Sequence, residues 1–361
     1  MIKIKVSPGT CEIGDQIAAD ILNEYGALIA AKNTIINESI LKNLASMNID
    51  DFWVIRTSWK SQPAGVDLQL DKFRENYENS AEILEKLIGD LSGKGQPDVS
   101  NLDIVSNSII NEITYNPRVV QFIYQIREHD DYTFEHSLNV AFYSALICKW
   151  LNLNEKKTES IIKTGLLHDL GKVNIPIDLL NKKEKLYPKE LEQIQKHAVD
   201  GYNLIKDIVP LDSDIKLGVL LHHERMDGSG YPNKYSGRQL NMNTKIVSIA
   251  DTYDALTSDR TYKTRYTPFM ALNVLMTEGL TSYDINILNT FVSNLIFHYV
   301  GLQVLLSTGE IGKVVHIPLY NITRPIVDID SKLVDLSKDD SLSIVSVVDG
   351  NAAGSREDST P

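Results

Sequence analysis

Residues 155–172 read EKKTESIIKTGLLHDLGK. Asn154 just ahead of them offers a side-chain oxygen to the first free N–H groups of a helix, and Gly171 reads as the end of that helix. Inside it the apolar run IIKTGLL stops at His168 and Asp169, two groups that a core would not ordinarily accept. The pattern extends outward on both sides. From about Leu102 to Tyr299 apolar residues recur at spacings of three and four. Within that stretch Pro188 stands where a first-turn proline would, ahead of ELEQIQKHAVDGYNLIKDI. The economical solution is a helical bundle.

The two ends read differently. In the first sixty residues, KIKVS and DFWVI read as strands, Pro8-Gly9 as a turn and ESILKNLASM as a helix, with Gly26 punctuating ADILNEYGALIAAKNTII. SWKSQPAG (58–65) and SGKGQPD (92–98) break periodicity on either side of an amphipathic connecting helix in DKFRENYENSAEILEKLIGDL. Beyond residue 300, LQVLLSTGEIGKVVHIP alternates around Gly309 and Gly312 as a β-hairpin, RPIVDI and LSIVSVV read as strands, and GSREDSTP as a frayed tail. The expected fold is mainly α. A small α+β module occupies residues 1–60, a connecting helix and linker 61–114, the helical bundle 115–300, and a β-rich segment with a tail 301–361. No internal repeat is visible.

Composition narrows the function. A chain of 361 residues exceeds the usual size of one core, and 43% hydrophobic with 23% charged residues describes a folded protein. A net charge of −12 argues against coating a nucleic acid polymer, so an anionic ligand must be gripped locally. Cys11 and Cys148 form neither a CxxC pair nor a disulfide framework, which excludes a zinc ribbon and fits a reducing compartment. MIKIKVSPGT has no apolar signal core, and no run of about 18 apolar residues occurs. Membrane insertion is therefore not expected, and a cytoplasmic location is.

Five of the eight histidines fall between residues 136 and 223, each in a helical, partly apolar stretch. His136 shares a face with Val140 and Ile147, and His197 with Ile194 and Gly201, so both point inward. His168 and Asp169 end IIKTGLL, His222 and His223 end GVLL, and Asp251 follows Val247 by one turn. Alone, each is a satisfied core residue. Together, five imidazoles and two carboxylates left unsatisfied would cost roughly 1 to 3 kcal/mol apiece, a penalty that a metal cluster removes. Imidazole and carboxylate without thiolate suit iron, manganese or another divalent first-row ion, and the number of ligands implies two ions.

HDLGK (168–172), HHERMDGSGYP (222–232) and ADTYDALTSDRTYK (250–263) resemble, in order and spacing, the signatures of the HD-GYP family of HD-domain phosphohydrolases. The resemblance covers about residues 115–300. It implies an all-helical HD bundle with a dinuclear centre that hydrolyses cyclic di-GMP to pGpG and, in some members, to GMP. The implied metal ligands are His136, His168, Asp169, His197, His222, His223 and Asp251, the same seven that the burial argument selects. Some members hold a third metal with a glutamate four residues before the first histidine. Tyr132 stands there, and a phenol is a poor substitute, so two ions are expected. Thr261 departs from the usual DRPY and leaves Arg260 and Lys263 in place.

Two cations about 3.5 to 4 Å apart would hold a bridging hydroxide and stabilise both ends of an in-line displacement. Asp169 is the expected bridging carboxylate and Lys172 the cation on the scissile phosphate; Arg260 and Lys263 are expected to grip the dinucleotide phosphates, with Arg265 behind them as a solvated helix end. Asp254, one turn beyond Asp251, is read as a support for a ligand. Tyr231 is placed near a guanine or facing a diguanylate cyclase, the partner that the family's GYP loop implies, and the N-terminal module is assigned to homodimerisation or to control of access. Two alternatives stay open: an HD-type hydrolase of another cyclic dinucleotide, and a non-catalytic cyclic di-GMP sensor. Intact ligands and Lys172 argue against the sensor.

Overall fold

The structure is a computed structural model that describes residues 2–7, 11, 15–22, 28–30, 32, 34, 36, 40, 44, 49, 51–56, 68–93, 98–126, 132–182, 184–258 and 265–348. The chain divides into two compact units, Met1–Val66 and Asp67–Pro361.

In the first unit, β1 (Ile2–Val6) and β2 (Gln16–Ile17) flank β5 (Phe52–Arg56), both antiparallel to it, while β3 (Ile21–Leu22) pairs with β4 (Leu28–Ala30). Val6, Ile17, Ile36, Leu44, Phe52 and Val54 make its core. Of the helix expected over residues 38–47 only Ile40 and Leu44 are described, both helical; the turn at Pro8-Gly9 and the break at Gly26 lie outside the described residues.

The second unit is built on α4 (Tyr132–Trp150), whose residues Leu138–Cys148 are all buried because they are apolar or small around the whole circumference. Around it pack α1 (Leu68–Ser92), α2 (Ser100–Tyr115), α3 (Val119–Ile126) and α5 (Glu155–Leu167), and the bundle core is completed by α8 (His197–Ile205), α9 (Ser213–Leu221), α10 (Met242–Thr257), α11 (Pro268–Glu278) and α12 (Ile285–Leu295); the short α6 (Ile177–Leu180) and α7 (Pro188–Gln195), which lie between α5 and α8 in the chain, bury no residue. The amphipathic connecting segment is α1, and Phe73, Tyr77, Leu84, Leu87 and Leu91 bury its apolar face in the same core.

Side-chain caps set the starts of the helices that matter. Asn154 accepts from Lys157 N at 2.9 Å, Asp212 from Ile215 N at 2.8 Å and Asn241 from Thr244 N at 2.8 Å. Two helix readings need correction. α5 ends at Leu167, four residues before Gly171, because the chain turns at His168-Asp169 into a 3₁₀ segment, Leu170–Asn174. The helix begun at Pro188 is interrupted at Lys196, so His197 opens α8 instead of lying mid-helix. Gly171 is required by contact and not by capping: a Cβ there would sit 2.0 Å from His197 O and 2.5 Å from Gly201 N.

At the C-terminus a five-stranded antiparallel sheet has the order β10-β6-β7-β8-β9, from β6 (Gln303–Leu306), β7 (Ile311–His316), β8 (Ile326–Ile329), β9 (Lys332–Asp335) and β10 (Ile344–Val348). The β6–β7 hairpin turns through Gly309 at φ +85°, as its sequence predicts. Strand β9 was not expected. It follows β8 through Asp330 and Ser331, both left-handed at φ +48° and +68°, a turn that lacks the Asn-Gly signature. Val304, Leu306, Val314 and Val327 join the bundle core. Among the described residues no helix is long and apolar enough to cross a membrane.

Because the atoms nearest Gly171 are backbone, Gly171→Ala should destabilise the fold by roughly 1–3 kcal/mol, the scale of an overpacked interior. Urea denaturation of the metal-free variant beside the parent measures it, and an unchanged midpoint would contradict the close approach.

Candidate metal centre

Six of the seven expected ligands are buried, and all seven converge in the second unit. α4 brings His136 near its N-terminus, the turn after α5 brings His168 and Asp169, α8 opens with His197, the end of α9 delivers His222 and His223, and α10 carries Asp251. Their ligating atoms form two groups, each within 4.8 Å: His136, His168 and Asp251; and Asp169, His197, His222 and His223. Asp169 faces both. Its Oδ2 lies 3.5 Å from His136 Nε2 and 3.3 Å from His168 Nε2, whereas Oδ1 lies 3.4 Å from His197 Nε2. Asp251 spans in the same way, with Oδ1 3.2 Å from His136 Nε2 and Oδ2 3.8 Å from His223 Nδ1.

Backbone acceptors fix the imidazoles. His168 Nδ1 donates to Gly165 O at 2.7 Å, His197 Nδ1 to Ile194 O at 2.7 Å and His222 Nδ1 to Val219 O at 2.8 Å. A carbonyl can only accept, so the neutral rings keep their protons on Nδ1 and turn the Nε2 lone pairs inward. His136 uses a carboxylate instead, Nδ1 donating to Asp254 Oδ2 at 2.7 Å, the support expected of Asp254.

Two lone pairs meet badly where His197 Nε2 and His222 Nε2 stand 3.1 Å apart, and His168 Nε2 is buried with no hydrogen-bond partner. A cation relieves both defects. The donors are imidazole nitrogens and carboxylate oxygens, which fit a divalent first-row ion; Cys148 lies outside both groups, its thiol pushed up to about 12 by burial.

Charge is graded across the cluster. Burial holds His222 well below the usual imidazole range, with neighbouring histidines adding to it, lowers His197, and pushes His223 down to about 3 against the pull of Asp251. Burial acts the same way on His136, but hydrogen bonds to Asp251 and Asp254 outweigh it and raise the ring to about 9. Burial also opposes ionisation of both carboxylates. Lys172 and His168 nevertheless keep Asp169 well below the carboxylate range, and His136 and His223 do so for Asp251. Lys172 Nζ sits 2.6 Å from Asp169 Oδ2 at the rim, so the cation expected on a phosphate rests on the carboxylate.

Residues 120–287 match the HD domain family. They form an HD domain, and it carries the HDLGK and HHERMDGSGYP signatures that resemble the HD-GYP type. The chain is 28% identical over 247 residues to PA4108 of Pseudomonas aeruginosa, named a cyclic di-GMP phosphodiesterase, covering 66% of this chain and 58% of that protein. It is 36% identical over 145 residues to 3′3′-cGAMP-specific phosphodiesterase 1 of Vibrio cholerae, covering 40% and 32%. The chain thus spans less than two thirds of the length of these curated relatives. Among solved structures, Bd1817, an HDG“Y”P protein from Bdellovibrio bacteriovorus, superposes with a TM-score of 0.54 at 16% identity over 81% of this chain and 99% of that one, a likeness of fold.

In this HD domain the GYP loop folds back onto the His/Asp cluster. A Cβ at Gly230 would lie 2.4 Å from His223 O and 2.5 Å from Glu224 Cα, so only glycine admits the approach. Tyr231 stacks on His223 (4.7 Å, 29°) and stands edge-on to His197 at 6.5 Å, so one face of its ring is taken by the centre itself. Sequence reasoning passed over Glu224 and Arg225. Glu224, 1% exposed, accepts from Asn233 N at 2.6 Å and pins the loop; Arg225 Nη1 donates to His222 O and Glu224 O and its guanidinium lies 5.1 Å over the Tyr283 ring. Both stand beside His222-His223 in HHER; the folded-back loop gives Glu224 its partner, and Tyr283, distant in sequence, gives Arg225 a ring to lie over. Arg265 lies over Tyr124 at 5.6 Å. Arg260, Thr261 and Lys263 lie outside the described residues, as does the side chain of Tyr132.

The pKa pattern predicts the stability of the metal-free protein. His197, His222 and His223 resist protonation when folded, so below about pH 6.5 the unfolded chain binds more protons and stability falls as pH drops toward 3. His136 binds its proton more tightly when folded, so stability falls as pH rises from 6.5 through about 9. Thermal midpoints in chelator across this range should peak near the middle; a monotonic profile would contradict the assignment.

Proposed function

We propose that this chain is a metal-dependent phosphodiesterase that hydrolyses cyclic di-GMP to pGpG, with residues 115–300 as its catalytic domain. The observation that carries the reading is Asp169, whose two oxygens face two separate imidazole groups inside an HD domain. His136, His168, Asp169, His197, His222, His223 and Asp251 are the ligands of two ions, iron or manganese by donor chemistry. When bound, the ions supply Lewis-acid polarisation of phosphate oxygens and an activated water.

The chain's own residues do the rest. Nδ1 protons on His168, His197 and His222 stay on backbone carbonyls and leave each Nε2 free to ligate. Lys172, on the rim and partly exposed, is within reach of both Asp169 and an entering phosphate, where its ammonium offsets developing charge. Arg260 and Lys263 grip the dinucleotide phosphates against a net charge of −12. Tyr231 walls the His197–His223 side. The exposed Asp227, Ser229 and residues 233–236 leave the loop open to a protein partner such as a diguanylate cyclase. A cytoplasmic site of action accords with two free cysteines. A second reading, hydrolysis of 3′3′-cGAMP, is favoured by the resemblance to the Vibrio cholerae enzyme, since the metal ligands do not read the base.

Protein purified without oxygen should contain close to two ions per chain and convert cyclic di-GMP to pGpG; a higher kcat/KM for 3′3′-cGAMP would favour the second reading. Asp169→Ala should lose metal and activity together, whereas Lys172→Ala should keep metal and lose turnover. Equal metal loss in both would make Lys172 structural. Replacing Arg260 and Lys263 together by Ala should weaken nucleotide binding by roughly 2 to 4 kcal/mol at unchanged metal content, measured by calorimetry.

A further inference from the structure

His136 occupies a weak position for a ligand. It is the fifth residue of α4, in the turn where a helix lacks its full complement of backbone bonds and frays most readily. Asp254 fixes the ring by its Nδ1, but a bond to the ring does not hold the backbone from which the ring projects. Another side chain does reach that backbone. Tyr77 of α1, 3% exposed, directs its hydroxyl at Asn139 Oδ1 (2.9 Å) and Glu135 O (3.2 Å). Glu135 and Asn139 are one turn apart and bracket His136, so a single phenol proton ties the ligand-bearing turn to a neighbouring helix.

The phenol is itself held. Its ring stacks on Phe142 (6.1 Å, 15°) and meets Phe73 at 6.1 Å, and Phe73 packs on Phe122 at 5.5 Å. Those contacts bury the ring and belong to the core. Losing the hydroxyl alone would leave them intact while freeing the turn.

We infer that Tyr77, from a helix outside residues 120–287, is a positioning residue for the metal centre: its hydroxyl clamps the 135–139 turn of α4 and so sets where His136 presents Nε2. This rests on His136 being a metal ligand, as proposed above. Placing the clamp on α1 also means that the matched HD domain does not contain everything its centre needs. A displacement of α1 would be felt first at His136.

The test compares Tyr77→Phe with Leu87→Ala, a core truncation about three turns further along α1. Mn²⁺ is titrated into each metal-free full-length protein, the Co²⁺ absorption spectrum is recorded, thermal midpoints are taken in chelator, and kcat and KM are measured with cyclic di-GMP. Tyr77→Phe should keep a midpoint close to the parent's yet bind Mn²⁺ about ten-fold more weakly, alter the Co²⁺ spectrum, and lower kcat with KM little changed. Leu87→Ala should lower the midpoint and leave the Co²⁺ spectrum of the folded protein as in the parent. The inference is overturned if Tyr77→Phe matches the parent in metal binding and spectrum, or if both variants lose metal in proportion to their loss of stability. A parent that binds no Mn²⁺ or Co²⁺ overturns the metal-site reading and this inference with it; a parent that binds metal but cleaves no cyclic dinucleotide overturns the substrate alone.

Discussion

Burying imidazoles and carboxylates side by side in a helical interior is the constraint around which the second unit is arranged. Each such group loses its hydration, and none recovers it from the apolar helices behind it. The fold gives three histidines a backbone carbonyl three residues earlier and His136 a carboxylate, which satisfies Nδ1 and leaves Nε2 facing inward. What remains is a ring of lone pairs with two carboxylates between them, 3.1 Å apart at the closest histidine pair. Cations bound there would relieve that electrostatic conflict. The metal-free fold contains part of the answer in Lys172, which sits on Asp169 and keeps it ionised.

Close backbone approach is the second device. Gly171 lets the 3₁₀ segment after Asp169 lie against His197 and Gly201, and Gly230 lets the GYP loop lie against His223 and Glu224. Gly165 does the same where α5 crosses α4 at Ala141, bringing the His168 and His136 elements together. In all three places a Cβ would meet backbone within 3 Å, which packing cannot relieve by changing a rotamer. These glycines therefore serve the centre by distance, and their backbone angles are unremarkable.

Much of this was legible beforehand, for a definite reason. A polar residue that interrupts a long apolar periodicity must be inside, so His136, His168, Asp169, His197 and Asp251 announce themselves, and the HDLGK, HHE and ADTYD stretches fix their identity. Strand β9 escaped because Asp330-Ser331 turns without the usual signature, and the helix after Pro188 was read through Lys196 because its apolar spacing does not register a break. The end of α5 was misplaced because Gly171 has the composition of a cap and the job of a spacer.

Taken alone, the sequence determined the helical character of the bundle, the two-residue period of the C-terminal strands and which histidines and aspartates lie inward, since each depends on local periodicity or residue chemistry. Only the tertiary structure decided how those residues divide into two groups, that Asp169 faces both, and that Lys172 rests on it. It also decided that Glu224 pins the GYP loop and that Tyr77 reaches the turn of His136 from 58 residues away. Such facts concern the distance between atoms on different elements. No periodicity encodes them, because they arise when helices with separate patterns are packed at fixed spacing around a shared core.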